Sequence, residues 1–245
     1  MAFLKTKGII IKEHNTTEAD KSIVILTPYQ GKISVWVKGA RRTKNPMAGR
    51  TQLFNYCDFS LYKSGDNYSL NNCDIIESFK EIKDDIDLIY YGAHFADIMY
   101  ELSEEGIADK EAITFFLNAL YMLTKDKERA KIVTRIFEMR ILAISGFMPV
   151  VEGCNSCGSE DNENMYFDFL IPGFACEKCK SEDSIKLLPG TVNSMKYIYL
   201  ADIKSVFSFK VSDEVLEQLQ CISKRLIKIF LEKDFDKLDI LEDLF

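Results

Sequence analysis

Few residues in this chain are of the kind that carry catalysis. Among 245 residues there are two histidines, His14 and His94. Neither is spaced to the other, or to a cysteine, as a metal pair or a nucleophile–base pair is. His94 falls inside a helical stretch and reads as a packing residue; His14 ends the first strand and reads as exposed. No Gly-x4-Gly-Lys-Ser/Thr phosphate loop, Gly-x-Gly-x2-Gly turn or Gly-x-Ser-x-Gly elbow occurs. No His-x-Glu occurs either, which excludes a zinc deaminase site. No catalytic residue is expected. Long apolar runs are missing as well. Near the start the longest is Gly8-Ile9-Ile10-Ile11, too short for a secretory h-region or a membrane span. The expectation is therefore no membrane partner and a cytosolic home, where thiols stay reduced and seven cysteines read as metal ligands plus free thiols.

Four of those cysteines carry the most specific pattern in the chain. Cys154, Cys157, Cys176 and Cys179 form Cys-x2-Cys, 18 intervening residues, then Cys-x2-Cys. This is the spacing of a tetrahedral thiolate site for one structural zinc ion. Each pair makes a tight turn that brings two soft sulfur ligands to one metal, and Gly158 supplies permissive backbone beside Cys157. An iron–sulfur cluster and a redox dithiol are the rivals. Four protein ligands leave no place for a substrate, so the motif reads as structural. Cys57, Cys73 and Cys221 read as small buried hydrophobes.

Charge is divided unevenly. Residues 1–50 hold ten Lys/Arg against Glu13, Glu18 and Asp20, a net of +7. The other 195 residues hold 21 Lys/Arg against 35 Asp/Glu, a net of −14. A basic segment in an acidic chain suggests a local polyanion site. Its centre is Lys38-Gly39-Ala40-Arg41-Arg42-Thr43-Lys44, with Arg50 beyond, in a loop of turn formers after a strand. Lys5 and Lys7 add cations upstream. Trp36, in the polar phase of its strand, is expected to be exposed, and with Tyr29, Tyr56, Tyr62 and Tyr68 it offers stacking faces to unpaired bases. The bland alternative is a solvated loop beside barrel-core aromatics.

Periodicity divides the chain. Ile9–Ile11, Ser22–Thr27, Lys32–Lys38, Phe54–Tyr62 and Tyr68–Cys73 read as strands, with turns at Pro28–Gly31 and Ser64–Asn67. Five short strands suit a small barrel, of which the OB-fold is one form. Helical stripes follow: Ile86, Tyr90, Ala93 and Tyr100; then Phe115, Phe116, Ala119, Leu120 and Leu123; then Ile136, Ile141 and Ile144, stopped by Gly146 and Pro149. Asp84, Asp85 and Asp87 mark a helix start. Beyond the cysteines the helical period returns at Leu219, Ile222, Leu226, Ile229 and Phe230. Asp234 to Phe245 has no evident partner. The expected fold class is α+β multidomain, with a five-stranded OB-fold β-barrel over residues 1–80. An α-helical domain covers 81–151 and 184–245, with a four-cysteine zinc finger inserted at 152–183.

Several of these segments, in this order, resemble the RecO family of bacterial recombination and repair proteins. They are Lys5-Thr6-Lys7-Gly8-Ile9-Ile10, Glu18-Ala19-Asp20-Lys21, Thr27-Pro28, Gly31-Lys32-Ile33, Lys38-Gly39-Ala40-Arg41-Arg42 and Gln52-Leu53-Phe54. Phe137-Glu138-Met139-Arg140-Ile141-Leu142, Gly146-Phe147-Met148-Pro149 and the cysteine quartet follow. The likeness covers most of the chain; the last sixty residues match loosely. It implies a barrel, a helical domain and a zinc finger, with no enzymatic turnover. It also implies binding to single- and double-stranded DNA, annealing of complementary strands and, with RecR, help to RecA in loading on DNA coated with single-strand-binding protein, in the cytoplasm at the nucleoid. Lys38, Arg41, Arg42, Lys44 and Arg50, joined by Lys5, Lys7 and Trp36, are the expected DNA contacts. The alternative is a zinc-containing protein-interaction adaptor with little DNA affinity of its own. A nucleic-acid enzyme is a third reading that no residues support.

Overall fold

The alternating segments become five strands: β1 (Ala2–Asn15), β2 (Lys21–Thr27), β3 (Gly31–Val37), β4 (Tyr56–Ser64) and β5 (Asn67–Glu77). The computed structural model describes residues 2–42, 44–160 and 164–238. They form two compact units, one from residues 1–124 and 236–245, the other from 125–235. In the first unit the strands close into a barrel in the order β1-β2-β3-β5-β4. All neighbours run antiparallel except β3 and β5. That order is the OB-fold's.

Side-chain alternation explains the barrel. Ile33, Val35 and Val37 point into the core while Ser34 and Trp36 point out, the period of two that a pleated strand imposes. β1 is long enough to serve two neighbours: Ala2–Ile9 pairs with β4 and Ile9–Asn15 with β2. An irregularity between Ile10 and Lys12 breaks the alternation there. Ile9, Ile10 and Ile11 are consequently all buried, as a bulge permits.

Three helices complete this unit: α2 (Lys80–Asp84), α3 (Ile86–Leu102) and α4 (Lys110–Lys125), after a single turn α1 (Met47–Arg50) between β3 and β4. Asp85 caps α3, its carboxylate accepting the N–H groups of Asp87 and Leu88 at 3.0 and 3.3 Å, the usual service of an N-cap carboxylate. The expected stripe on α3 is out of phase. Ile86 is 69% exposed, and the buried line runs through Leu88, Gly92, Phe95, Ala96 and Met99. Gly92 lets Phe54 approach, since a Cβ there would lie 2.9 Å from the Phe54 ring. On α4 the expected stripe is buried at every position. The C-terminal segment does have a partner: Asp236–Leu238 forms a 3-10 turn against α3, with Leu238 buried and Lys237 paired with Asp97. The rest of that expected tail, 239–245, lies outside the described residues.

The second unit holds α5 (Ala130–Ile144), α6 (Pro189–Leu200) and α7 (Asp213–Leu231), plus a sheet of β6 (Met165–Asp168), β7 (Gly173–Cys176) and β8 (Ser184–Lys186) in the order β7-β6-β8. Helices α5, α6 and α7 pack on one another. Between α5 and α7 lies a buried ionic group. Arg135 Nη1 stands 3.0 Å from Glu138 Oε2, and the Ser223 hydroxyl donates to the same oxygen at 2.6 Å. Arg140 donates to the carbonyls of Ile198, Tyr199 and Ala201 at the end of α6, where carbonyls lack helical partners. Cys221 corrects an expectation: it is exposed, on the polar face of α7 between buried Leu219 and Ile222.

Candidate nucleic-acid interface and metal centre

The basic loop leaves β3 after Val37 and turns at Gly39, whose φ of 68° is the left-handed conformation glycine adopts without strain. Three hydrogen bonds fasten it to the β1–β2 connection. Gly39 N–H donates to Asp20 Oδ1 at 2.6 Å, Arg41 N–H to Ala19 O at 2.9 Å, and the Arg41 guanidinium to Thr17 O at 2.6 Å. Inside the loop, Arg42 N–H donates to Gly39 O at 3.0 Å and Asn45 N–H to Arg42 O at 2.9 Å. The far end is tied down too. Lys21, only 6% exposed, donates to Glu13 Oε2 and Thr51 O, both at 2.6 Å. Asn55 Nδ2 donates to the Gly49 and Arg50 carbonyls, while Lys83 Nζ donates to Asn55 Oδ1 at 2.6 Å. Burial pushes the Lys83 ammonium below the usual lysine range. Two segments separated in sequence, Glu18–Lys21 and Lys38–Arg42, thus form one braced element.

The ten cations of residues 1–50 divide into two sets. Lys38, Arg41, Arg42 and Lys44 are exposed on the loop, and Lys5 and Lys7 on β1. Among the described residues no carboxylate pairs with any of these six. The other four are engaged. Lys12 is 3.8 Å from Asp97 and lies over the Tyr100 ring; Lys32 lies over the same ring and donates to Tyr100 O. Lys21 is buried as described. Arg50, expected on the loop surface, donates to Asn72 Oδ1, Cys73 O and Asp74 Oδ1 at 3.1–3.3 Å, so its charge is already matched on β5. Thr43, inside the expected basic run, lies outside the described residues.

The aromatics sort by strand phase. Trp36 is exposed, as are Tyr29 and Tyr62. Tyr68 is not a surface platform: it is 5% exposed and belongs to the barrel core. Sequence reasoning also passed over Lys63, which pairs opposite Tyr68 and sets its ammonium 5.0 Å over that ring. Its position on a surface strand gave no basic run to notice. Asp20 was visible only as part of a motif, and its role as the brace for Gly39 needs the fold.

The candidate metal centre lies in the second unit. β7 delivers Cys176, and Cys179 N–H donates back to Cys176 O at 3.0 Å. The other knuckle closes through Gly158 N–H to Cys154 O at 2.9 Å, with Gly158 at φ 73°. Asn155 N–H reaches Phe174 O on β7, which joins the two knuckles. All four sulfurs lie within 4.8 Å of one another, and Cys157 and Cys176 are 3.7 Å apart. A tetrahedral ion with bonds of about 2.3 Å needs sulfurs roughly 3.8 Å apart, so the donor set fits a metal ion. Burial pushes the Cys154 thiol up, but the N–H groups of Cys176, Cys157 and Ser156 outweigh it and bring the thiol down to about 6. The Lys178 N–H lowers Cys176. Cys179 is pushed up to about 12, chiefly by Cys176 and then by Cys157 and Cys154. Negative charge gathered at one point in this way calls for a cation to share it. Asp168 steadies the adjoining hairpin, accepting from Leu170 N–H, Ser181 N–H and the Ser184 hydroxyl at 2.8–3.0 Å.

A closed OB-type barrel with a braced cationic loop, in a chain that also carries helices and a cluster of four thiols able to hold a metal ion, defines the class: an α+β barrel protein with an appended four-cysteine knuckle. Family models give the particular case. Residues 1–79 match Recombination protein O N terminal and residues 83–239 match Recombination protein O C terminal. The chain is 42% identical over 246 residues to the DNA repair protein RecO of Acetivibrio thermocellus, covering 100% of this chain and 98% of that protein. It is 32% identical over 239 residues to the DNA repair protein RecO of Caldicellulosiruptor bescii, covering 98% of each. It is 27% identical over 237 residues to that of Clostridium novyi, covering 97% of this chain and 91% of the relative. The chain belongs to the RecO family of DNA repair and recombination proteins. Among the described residues no helix is long and apolar enough to cross a membrane.

Proposed function

We propose that this protein is a DNA-binding recombination mediator that acts by holding strands rather than by turning over a substrate. It binds single- and double-stranded DNA, anneals complementary strands and, with RecR, helps RecA load on DNA coated with single-strand-binding protein, in the cytoplasm at the nucleoid. The barrel of residues 1–80 does the gripping, and the helical segments 81–151 and 184–245 carry the inserted finger 152–183. The metal in that finger is one structural zinc ion.

The observation that carries this reading is the braced loop. Lys38, Arg41, Arg42 and Lys44 are exposed cations without carboxylate partners among the described residues, on a backbone fixed at both ends. Fixed positive charge neutralises phosphates without regard to sequence. Annealing then needs no bond chemistry: screening the mutual repulsion of two strands lets base pairing proceed. A four-sulfur site fills a zinc ion's coordination with protein, which suits bracing and leaves no open position for catalysis.

The test is fluorescence anisotropy of a labelled oligonucleotide at several salt concentrations, run beside an annealing assay with complementary strands. Salt-sensitive binding and accelerated annealing are expected. No salt-sensitive binding at low ionic strength would leave the adaptor reading. A second observation favours that adaptor: the hairpin tip beside the metal centre exposes Leu170 and Ile171 at 74% and 60%, near exposed Val150, and exposed apolar tips mark protein contacts.

A further inference from the structure

We propose that a recess beside Trp36 on the barrel takes one unpaired DNA base, and that this recess makes the barrel prefer an open strand to a duplex. The inference rests on the DNA-binding reading and adds to it where the base goes and what form of DNA is favoured.

The recess has a volume of about 350 Å³, within the range of roughly 300–1,000 Å³ typical of small-ligand sites. Its wall is the outward face of β3. Trp36, the chain's single tryptophan, is 40% exposed, so part of its indole face is open to a ligand. The register shows why it is bare. Directly across from Trp36 stand Ser22 on β2 and Ser69 on β5, side chains too short to reach over the ring. Ser34, Ser64, Asn67 and Tyr68 complete the lining. Hydroxyl and amide groups there offer donors and acceptors to the rim of a planar heterocycle, and the indole offers its face.

Charge flanks the recess on two sides. Lys38, exposed, stands two residues after Trp36, at the first position of the loop beyond β3. Lys63 on β4 pairs opposite Tyr68 and holds its ammonium over that ring. An aromatic face between two ammoniums matches a base between its 5′ and 3′ phosphates. A base inside a duplex is stacked on both faces and presents none, so the recess contributes to binding an open strand alone. The basic loop grips phosphates of either form.

Because Trp36 is the chain's single tryptophan, its emission reports the recess in the full-length protein. Titration with short oligothymidylate is expected to quench it, and a duplex of equal length to leave it unchanged while still binding by anisotropy. Trp36→Ala is expected to weaken oligothymidylate binding about 5- to 150-fold, the worth of one stacked base, with duplex affinity unchanged, which also certifies the fold. Trp36→Phe keeps a ring and is expected to restore most of the affinity. Oligothymidylate that binds without quenching overturns the inference and leaves the DNA-binding reading standing, as does equal weakening of both forms in Trp36→Ala. Absence of binding to either DNA overturns both.

Discussion

Arg41→Ala combined with Arg42→Ala is the sharpest perturbation of the braced loop, because the structure says how many charges are there to lose. Each neutralised phosphate contributes about −0.7 to the slope of log K against log salt on single strands and about −0.9 on duplex. Four open cations, Lys38, Arg41, Arg42 and Lys44, give slopes of about −2.8 and −3.6. Raising salt from about 50 to about 200 mM should then weaken single-strand binding about 50-fold. The double variant keeps two, so its slopes fall to about −1.4 and −1.8 and the same change in salt costs about 7-fold. If Lys5 and Lys7 also reach phosphates, the parent slopes steepen to about −4.2 and −5.4. Arg50 supplies the control. Its guanidinium is already matched by Asp74 at 3.3 Å, so Arg50→Ala should leave the slope unchanged. Anisotropy titrations at four or more salt concentrations measure all of this. A double variant with the parent slope, or an Arg50→Ala variant that flattens it as a loop residue does, would refute the assignment of the site.

Three further outcomes follow from other parts of the molecule. Cys176→Ala should lose its bound metal and loosen residues 152–183, read by metal analysis and hydrogen exchange, while the barrel stays protected; zinc still stoichiometric in the variant would mean that the ligand set is wrong. Arg135→Met removes a cation beside Glu138, whose side chain is fully buried, and should lower stability in urea unfolding, by at most about 3–5 kcal/mol; adding Glu138→Leu should recover most of that loss, and no recovery would show that the charge itself is not the problem. Asp20→Ala removes the acceptor for Gly39 N–H and should weaken DNA binding although it deletes a negative charge, whereas Asp20→Asn keeps an acceptor and should bind at least as well as the parent; stronger binding by Asp20→Ala would show that the brace is not needed.

Much of the barrel was legible because surface strands obey a period of two. Ser34 and Trp36 alternate with Ile33, Val35 and Val37, and the structure sets the two groups on opposite faces. Helix α3 was harder. It is apolar around most of its circumference, so Ile86, Tyr90 and Ala93 made as good a stripe as Leu88, Phe95 and Met99, and only the docking of Phe54 against Gly92 decides between them. Cys221 misled for the opposite reason: residue type suggested burial, while its place between Leu219 and Ile222 put it outward. The cysteine quartet was readable because metal geometry is local in sequence. The cation site was readable only in part. A run of basic residues is visible, but which of its members is already matched depends on β5 supplying Asp74, and Lys63 enters through a cross-strand pairing that no spacing rule announces.

The 3-10 turn at Asp236–Leu238 has a consequence for how the molecule is made. Its seat on α3 belongs to a unit whose other residues end at Thr124. On the ribosome, more than a hundred residues must emerge before Leu238 can fill that seat, a delay on the order of ten seconds at ordinary elongation rates. Through that interval the nascent barrel and its helices present an unfilled apolar site, so truncations just upstream of the turn should yield a protein that binds chaperones longer than the complete chain does.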